Sequence, residues 1–190
     1  MNPPPGVIVL KGGTELFNHP DVIKFYRYVL TEWTPPSGRR IALYMGCTAV
    51  KPYSKSFIHL KVIKMLEKYN LSDIVQQYIV SEPMILVPRE LEAVYPVANY
   101  DFPKYLLDTK GRRIFVRRLR NILSRVHSFH AFHVTFMPRH HFEIFKEARK
   151  DLFDYIYVPY NLYFLPSLLQ KLKYLASFLN NKSERGKRKR

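Results

Sequence analysis

Apolar runs of four to seven residues alternate with longer stretches of helical periodicity along most of this chain, and that alternation leaves few folds open. The runs are Gly6–Leu10, Ile41–Met45, Ile74–Val80, Ala131–Phe136 and Tyr155–Val158. Between them, Pro20–Trp33 predicts a helix capped by Asn18 or His19, with Ile23, Tyr26, Leu30 and Trp33 on one face. Ser54–Tyr69 predicts a second that buries Ile58, Val62, Met65 and Leu66, and Lys110–His127 a basic one with Ile114, Leu119, Ile122 and Val126 inward. Pro138–Lys150 and Leu165–Asn180 complete the set, while Pro83–Pro103 reads as a long connection with a helical turn at Arg89–Val94. Strands separated by helices pack as an α/β domain of three layers, α/β/α, with a mostly parallel sheet and helices on both faces. Such sheets take ligands beyond the carboxyl ends of their strands, so the loop after Met45 is where a site is expected. A single domain over 1–180 and a disordered basic tail over 181–190 account for the length.

Composition narrows the function classes. Thirteen Phe and 14 Tyr supply a proper core and exclude disorder for most of the chain, and 7 Gly against 14 Pro argue against a Gly-rich nucleotide loop. The single Cys47 excludes a disulfide framework, and with no signal segment or membrane-spanning run the expectation is a soluble, cytoplasmic protein. Net charge is +16, and its distribution is informative: residues 104–190 carry 20 Lys and Arg against 6 Asp and Glu, residues 1–103 only 11 against 9. A nucleic-acid partner follows, with Arg112, Arg113, Arg117, Arg118, Arg120 and Arg125 on the basic helix and Lys187, Arg188, Lys189 and Arg190 in the tail as its phosphate contacts. A membrane partner does not, because the basic helix lacks an exposed Trp/Leu face. His127, His130, His133, His140 and His141 straddle a helix end and a strand with no Asp or Glu between Asp108 and Glu143, so neither a metal nor another cofactor is expected. His133 is a packing residue or lines a base pocket; Tyr157, Tyr160 and Tyr163 are core or stack on bases.

Reactive groups crowd the stretch from Gly46 to His59. A thiol at Cys47 follows the carboxyl end of a strand; Lys51, Tyr53, Ser54, Ser56 and His59 follow as a helix begins. Lys51 and the first free N–H groups of that helix favour an anion, either a Cys47 thiolate or an oxyanion near Ser54 or Ser56. The same residues also read blandly: a serine N-cap, a small buried Cys47, a packing Tyr53 and a satisfied core histidine at 59.

The spacing Cys47, Lys51-Pro52-Tyr53, Ser56, His59 resembles a pattern of the archaeal archaeosine synthase core domain: Pro-Cys, three residues, Lys-Pro-Tyr, two residues, Ser, two residues, His. A second stretch, Leu86–Glu92 continuing through Tyr95-Pro96 to Tyr100-Asp101-Phe102-Pro103, resembles that domain's second signature. Gly46 departs from the pattern, standing where the family has Pro, and is expected to loosen the turn that places Cys47. The family's transglycosylase-like region and RNA-binding PUA module have no counterpart, so the chain reads as a stand-alone short form. The resemblance implies modification of tRNA: addition of an amine, lysine or ammonia, across the nitrile of 7-cyano-7-deazaguanine on the route to archaeosine. It implies catalytic roles for Cys47, Lys51, Tyr53, Ser56 and His59, and substrate contacts from Ser54, Arg89, Glu90 and Asp101. Cys47 would attack first to give a thioimidate, or the amine would attack directly. A transglycosylase-like, PUA-containing or radical-enzyme partner is the implied company, and a non-catalytic tRNA-binding subunit the alternative role. The core also resembles the uracil-DNA glycosylase fold, whose catalytic loop contains Asp-Pro-Tyr; with Lys51 in place of the water-activating carboxylate, a glycosylase is not expected, whereas a base-shaped pocket is.

Overall fold

A computed structural model describes residues 2–187, with side chains described through residue 181. Its centre is a five-stranded sheet. The strands are β2 (Ile41–Gly46), β3 (Val75–Ser81), β4 (Ile85–Pro88), β6 (Phe132–Phe136) and β7 (Ile156–Tyr157), in the order β4-β3-β2-β6-β7. Every pairing is parallel except β3 with β4. β2, β3 and β6 are the expected runs, buried over nearly their whole length as central parallel strands must be.

Side chains of β2 sort the layers. Ile41, Leu43 and Met45 point into a core shared with α2 (Phe57–Lys68) and α5 (Leu165–Lys187), where Val62, Leu66, Leu168 and Leu172 are fully buried. Ala42 and Tyr44 point the other way, against α1 (Pro20–Thr31), α3 (Thr109–Val126) and α4 (Arg139–Arg149). The period-two alternation of a strand buried on both faces thus yields three layers, as expected. His19 caps α1, its Nδ1 accepting from the Asp21 N–H; Asp108 caps α3 through the Gly111 N–H at 2.7 Å.

Three expectations are corrected. Gly6–Leu10 is no strand of the main sheet: Val7, Ile8 and Val9 stay about half exposed, and only β1 (Leu10–Lys11) pairs, with β5 (Tyr100–Asp101) in a separate two-stranded ladder. The Asn99 side-chain amide donates to the Pro4 and Val7 carbonyls and ties that segment down without a ladder. Within 83–103, Ile85–Pro88 turns back as an edge strand, a position that tolerates Pro88. Finally, α5 continues past Asn180, through the beginning of the expected tail, to Lys187; the side chain of Lys187 and all of Arg188, Lys189 and Arg190 lie outside the described residues. No helix among the described residues is long and apolar enough to cross a membrane.

Candidate functional site

The carboxyl ends of β2 and β3 lie side by side, and each is followed at once by a reactive residue: Cys47 after Gly46, Glu82 after Ser81. The Cys47 N–H donates to the Val80 carbonyl at 3.0 Å, which extends the ladder one residue and fixes the thiol at the sheet's edge. From across β2, α4 brings His141 in its first turn. Cys47 Sγ lies 3.4 Å from His141 Nε2 and 3.7 Å from Glu82 Oε2, and His141 Nε2 lies 3.0 Å from the same Glu82 oxygen. His140 Nε2 meets the other carboxylate oxygen, Oε1, at 2.5 Å. Glu82 and His141 are buried; Cys47 is partly exposed.

These groups set one another's charge. Burial alone would raise the Glu82 carboxyl, but the bonds from His140 and His141 outweigh it and hold the group well below the ordinary carboxylate range. Burial likewise opposes a charge on His141, yet Cys47 and Glu82 together push its pKa up to about 10. Its Nδ1 has no partner among the described residues. Gly46 is the reason α4 comes so close: a Cβ there would sit 2.6 Å from Pro138 Cδ and 2.7 Å from His141 Nδ1. Its missing side chain is thus what lets α4 dock against the end of β2.

The remaining expected residues form the floor of the site. Lys51 Nζ donates to the Thr48 carbonyl at 2.8 Å and lies 4.4 Å from the Tyr100 ring centroid. Burial lowers its pKa, and Cys47, Asp101 and Glu82 oppose the shift. Tyr53 is fully buried, its hydroxyl 3.0 Å from Ser81 Oγ and 2.8 Å from the Tyr100 hydroxyl; Ser81 and Tyr100 bond to each other as well. His59 is the satisfied core histidine. Nε2–H donates to the Gly46 carbonyl at 2.9 Å, Nδ1 accepts from Arg89 at 2.6 Å, and burial followed by the Arg89 charge holds it at about 3. Both of its ring nitrogens are thus engaged within the protein. Ser56 stands at the N-cap position of α2 but makes no capping bond, and its buried Oγ has no partner among the described residues.

The expected substrate contacts are mostly engaged with other groups of the protein. Arg89 pairs with Glu92 at 2.7 Å and reaches Gln77 as well as His59; Glu92 in turn accepts from the Ser54 N–H at 2.9 Å. Glu90 accepts from Gln76, so Arg89 and Glu90 tie the edge strand to the sheet. Asp101, on β5, faces Lys51 electrostatically.

Four of the six arginines of α3 are engaged within the protein. Arg118 donates to the Phe17 carbonyl, Arg120 to the Ala148 carbonyl and to Asp151, and Arg125 to the carbonyls of Val29 and Trp33 at 3.1 and 2.6 Å. Arg112 pairs with Glu147. Arg113 and Arg117 alone of the six are exposed without a hydrogen bond or ion pair among the described residues. A hollow of about 500 Å³ opens beside His140, lined in part by Lys104, Arg112, Arg139 and Glu143. A larger one, about 990 Å³, lies between α1 and Tyr95–Pro96 and shares no lining residue with the Cys47 cluster.

Glu82, His140 and His141 are the residues that sequence reasoning missed as a site. The signal for Glu82 was its position directly after a buried run, at the same sheet edge as Cys47. His130 and His133 belong to the core instead, bonded to the Tyr78 and Tyr44 hydroxyls at 2.8 and 3.2 Å and held neutral by burial at about 4 and 3.

Comparison with known proteins agrees with the segment that carries this geometry. Archaeosine synthase subunit alpha of Thermoplasma acidophilum is 38% identical over 100 residues, which is 53% of this chain and 19% of that protein. The subunit of the same name from Methanosarcina acetivorans is 38% identical over 93 residues, 49% of this chain and 14% of that one. Archaeosine synthase of Methanocaldococcus jannaschii is 36% identical over 90 residues, again 14% of its length. The chain thus spans less than a fifth of these curated relatives. A solved structure described as AF0587, a protein of unknown function, shares the fold with a TM-score of 0.56 at 19% identity, over 79% of this chain and 48% of that one. Residues 22–161, which include Cys47, Glu82, His140 and His141, match the family described as Domain of unknown function (DUF5591), and the chain belongs to that family.

Proposed function

We propose that this chain acts in archaeosine modification of tRNA, adding an amine across the nitrile of a 7-cyano-7-deazaguanine base. The observation that carries the reading is the convergence of Cys47, Glu82 and His141 at the carboxyl ends of two parallel strands, in a chain whose curated relatives are named archaeosine synthase. In the addition, the amine nitrogen bonds to the nitrile carbon, one π bond of C≡N opens, and a proton passes from the amine to the nitrile nitrogen. Nothing leaves. The site therefore needs a group that polarises the nitrile nitrogen and groups that move one proton, and the cluster with Lys51 beside it offers both. Tyr53 and His59, buried beneath, position the loop. Lys104, Arg112 and Arg139 around the neighbouring hollow suit a tRNA phosphate.

The test is direct: incubate the protein with tRNA carrying the cyano base and with lysine or ammonia, digest, and weigh the nucleosides. A mass gain equal to the amine is expected, abolished in Cys47→Ala. Binding of tRNA without any addition would replace catalysis by the second reading, a subunit that presents tRNA to a partner, which the naming of two relatives as subunits favours. Absence of tRNA binding would overturn both.

A further inference from the structure

The geometry points to a zinc site: Cys47 Sγ, Glu82 Oε2 and His141 Nε2 bind one Zn²⁺ through three protein donors, leaving a fourth position open.

The three atoms come from three different parts of the fold, the ends of β2 and β3 and the first turn of α4, and all lie within 4.8 Å of one another. Zn–S of about 2.3 Å and Zn–N and Zn–O of about 2.0–2.2 Å, set at tetrahedral angles, require donor separations of about 3.6 Å for each pair with sulfur and about 3.4 Å for nitrogen with oxygen. The observed triangle, 3.4, 3.7 and 3.0 Å, matches each edge to within about 0.4 Å of that requirement.

The way the histidine is used supports the same reading. A catalytic relay holds a histidine by opposite nitrogens, one toward the nucleophile and one toward the carboxylate. Here a single nitrogen, Nε2, faces both the sulfur and the carboxylate, while Nδ1 is turned against Gly46. A cation placed among the three is shared by all of them, which the relay arrangement does not allow. His140 on the second oxygen of Glu82 supplies the outer contact that orients a ligating carboxylate.

The donor set selects the metal. Thiolate, imidazole and carboxylate together suit zinc, whereas calcium and magnesium take all-oxygen shells. Three protein donors with an open position is the arrangement of catalytic rather than structural zinc. Of the three residues only Cys47 is partly exposed, so the open position faces outward on its side. Metal binding does not depend on the tRNA reading.

The experiment strips the full chain with a chelator and titrates it with Zn²⁺, then with Co²⁺, whose thiolate charge-transfer absorption reports sulfur ligation. Saturable 1:1 binding with that absorption is expected. Cys47→Ala should lose the absorption, His141→Ala should weaken binding at least 100-fold, and His140→Ala by about 10-fold as an outer contact. Folded wild type that takes up no metal at one equivalent, or uptake undiminished in both Cys47→Ala and His141→Ala, overturns the site. Because the wild-type titration stands alone, a variant that fails to fold does not rescue it. Zinc binding by a protein inactive on cyano-tRNA would keep the metal site and remove the addition chemistry; addition without zinc would do the reverse.

Discussion

Substituting Gly46 by alanine tests how tightly the site is built. The new Cβ would stand 2.6 Å from Pro138 Cδ, about 0.8 Å short of the 3.4 Å at which ordinary contact begins. Pro138 cannot rotate its ring away, and His141, the other atom met, belongs to the same first turn of α4, so relief requires the start of that helix to withdraw. A withdrawal of that size takes the 3.0 Å contact between His141 and Glu82 beyond hydrogen-bond range. Overpacking of this kind costs about 1–3 kcal/mol, and at about 2–4 °C per kcal/mol for a chain of this length the melting temperature should drop by roughly 2–12 °C. Thermal unfolding followed by circular dichroism measures the drop, and the cobalt titration on the same sample measures the loosened triangle. If Gly46→Ala melts with the wild type and binds cobalt with the same spectrum and affinity, the close approach of α4 is not what assembles the site.

Four further outcomes are expected. His59, His130 and His133, held at about 3, 4 and 3, stay neutral in the fold but titrate near 6.5 when unfolded; below that pH the unfolded chain takes up the protons first. The share of stability these three histidines contribute should therefore be whole above about pH 6.5 and decline towards about pH 4 by about 1.4 kcal/mol per pH unit for each, and a urea midpoint constant between about pH 6.5 and 4 would refute the assignment. Arg89→Ala leaves the buried Glu92 charge with only the Ser54 N–H and the His59 Nδ1 with no partner, and should cost about 3–5 kcal/mol in urea unfolding; a loss below about 1 kcal/mol would mean the pair is effectively solvated. Reversing Arg113 and Arg117 to Glu should weaken tRNA binding and flatten its salt dependence, by about 0.7–0.9 in log–log slope for each phosphate no longer neutralised, at unchanged melting temperature. Arg125→Ala should instead lower the melting temperature.

β2, β3 and β6 were legible because a strand buried on both faces is written as a continuous apolar run, whatever surrounds it. The same signature misleads at Gly6–Leu10, where the run is apolar but its partners are the Asn99 side chain, the Ala98 and Asn99 carbonyls and a two-residue ladder. Pro83 and Pro88 hid β4, since prolines argue against a strand everywhere except at an edge. In α1 two stripes overlap, Val22, Phe25, Val29 and Ile23, Tyr26, Leu30; periodicity cannot choose between them, and packing chose the first. Half of the candidate site was local and readable, Cys47 and Lys51 within one loop. Its other half lies 35 and 94 residues from Cys47 and is assembled only by strand order and by the docking of α4, which no local spacing records.

The bonds made by Arg120 and Arg125 change what the chain's large positive charge means. Their guanidinium groups reach carbonyls at or beyond the ends of α4 and α1, so each closes off the negative pole of a helix it does not belong to. Exchanging these arginines for lysine would leave the formal charge at +16 and yet remove the forked donors that hold three helices in register. Two homologues with identical charge could then differ in rigidity, and an arginine-to-lysine ratio would say more about the scaffold beneath the site than an isoelectric point.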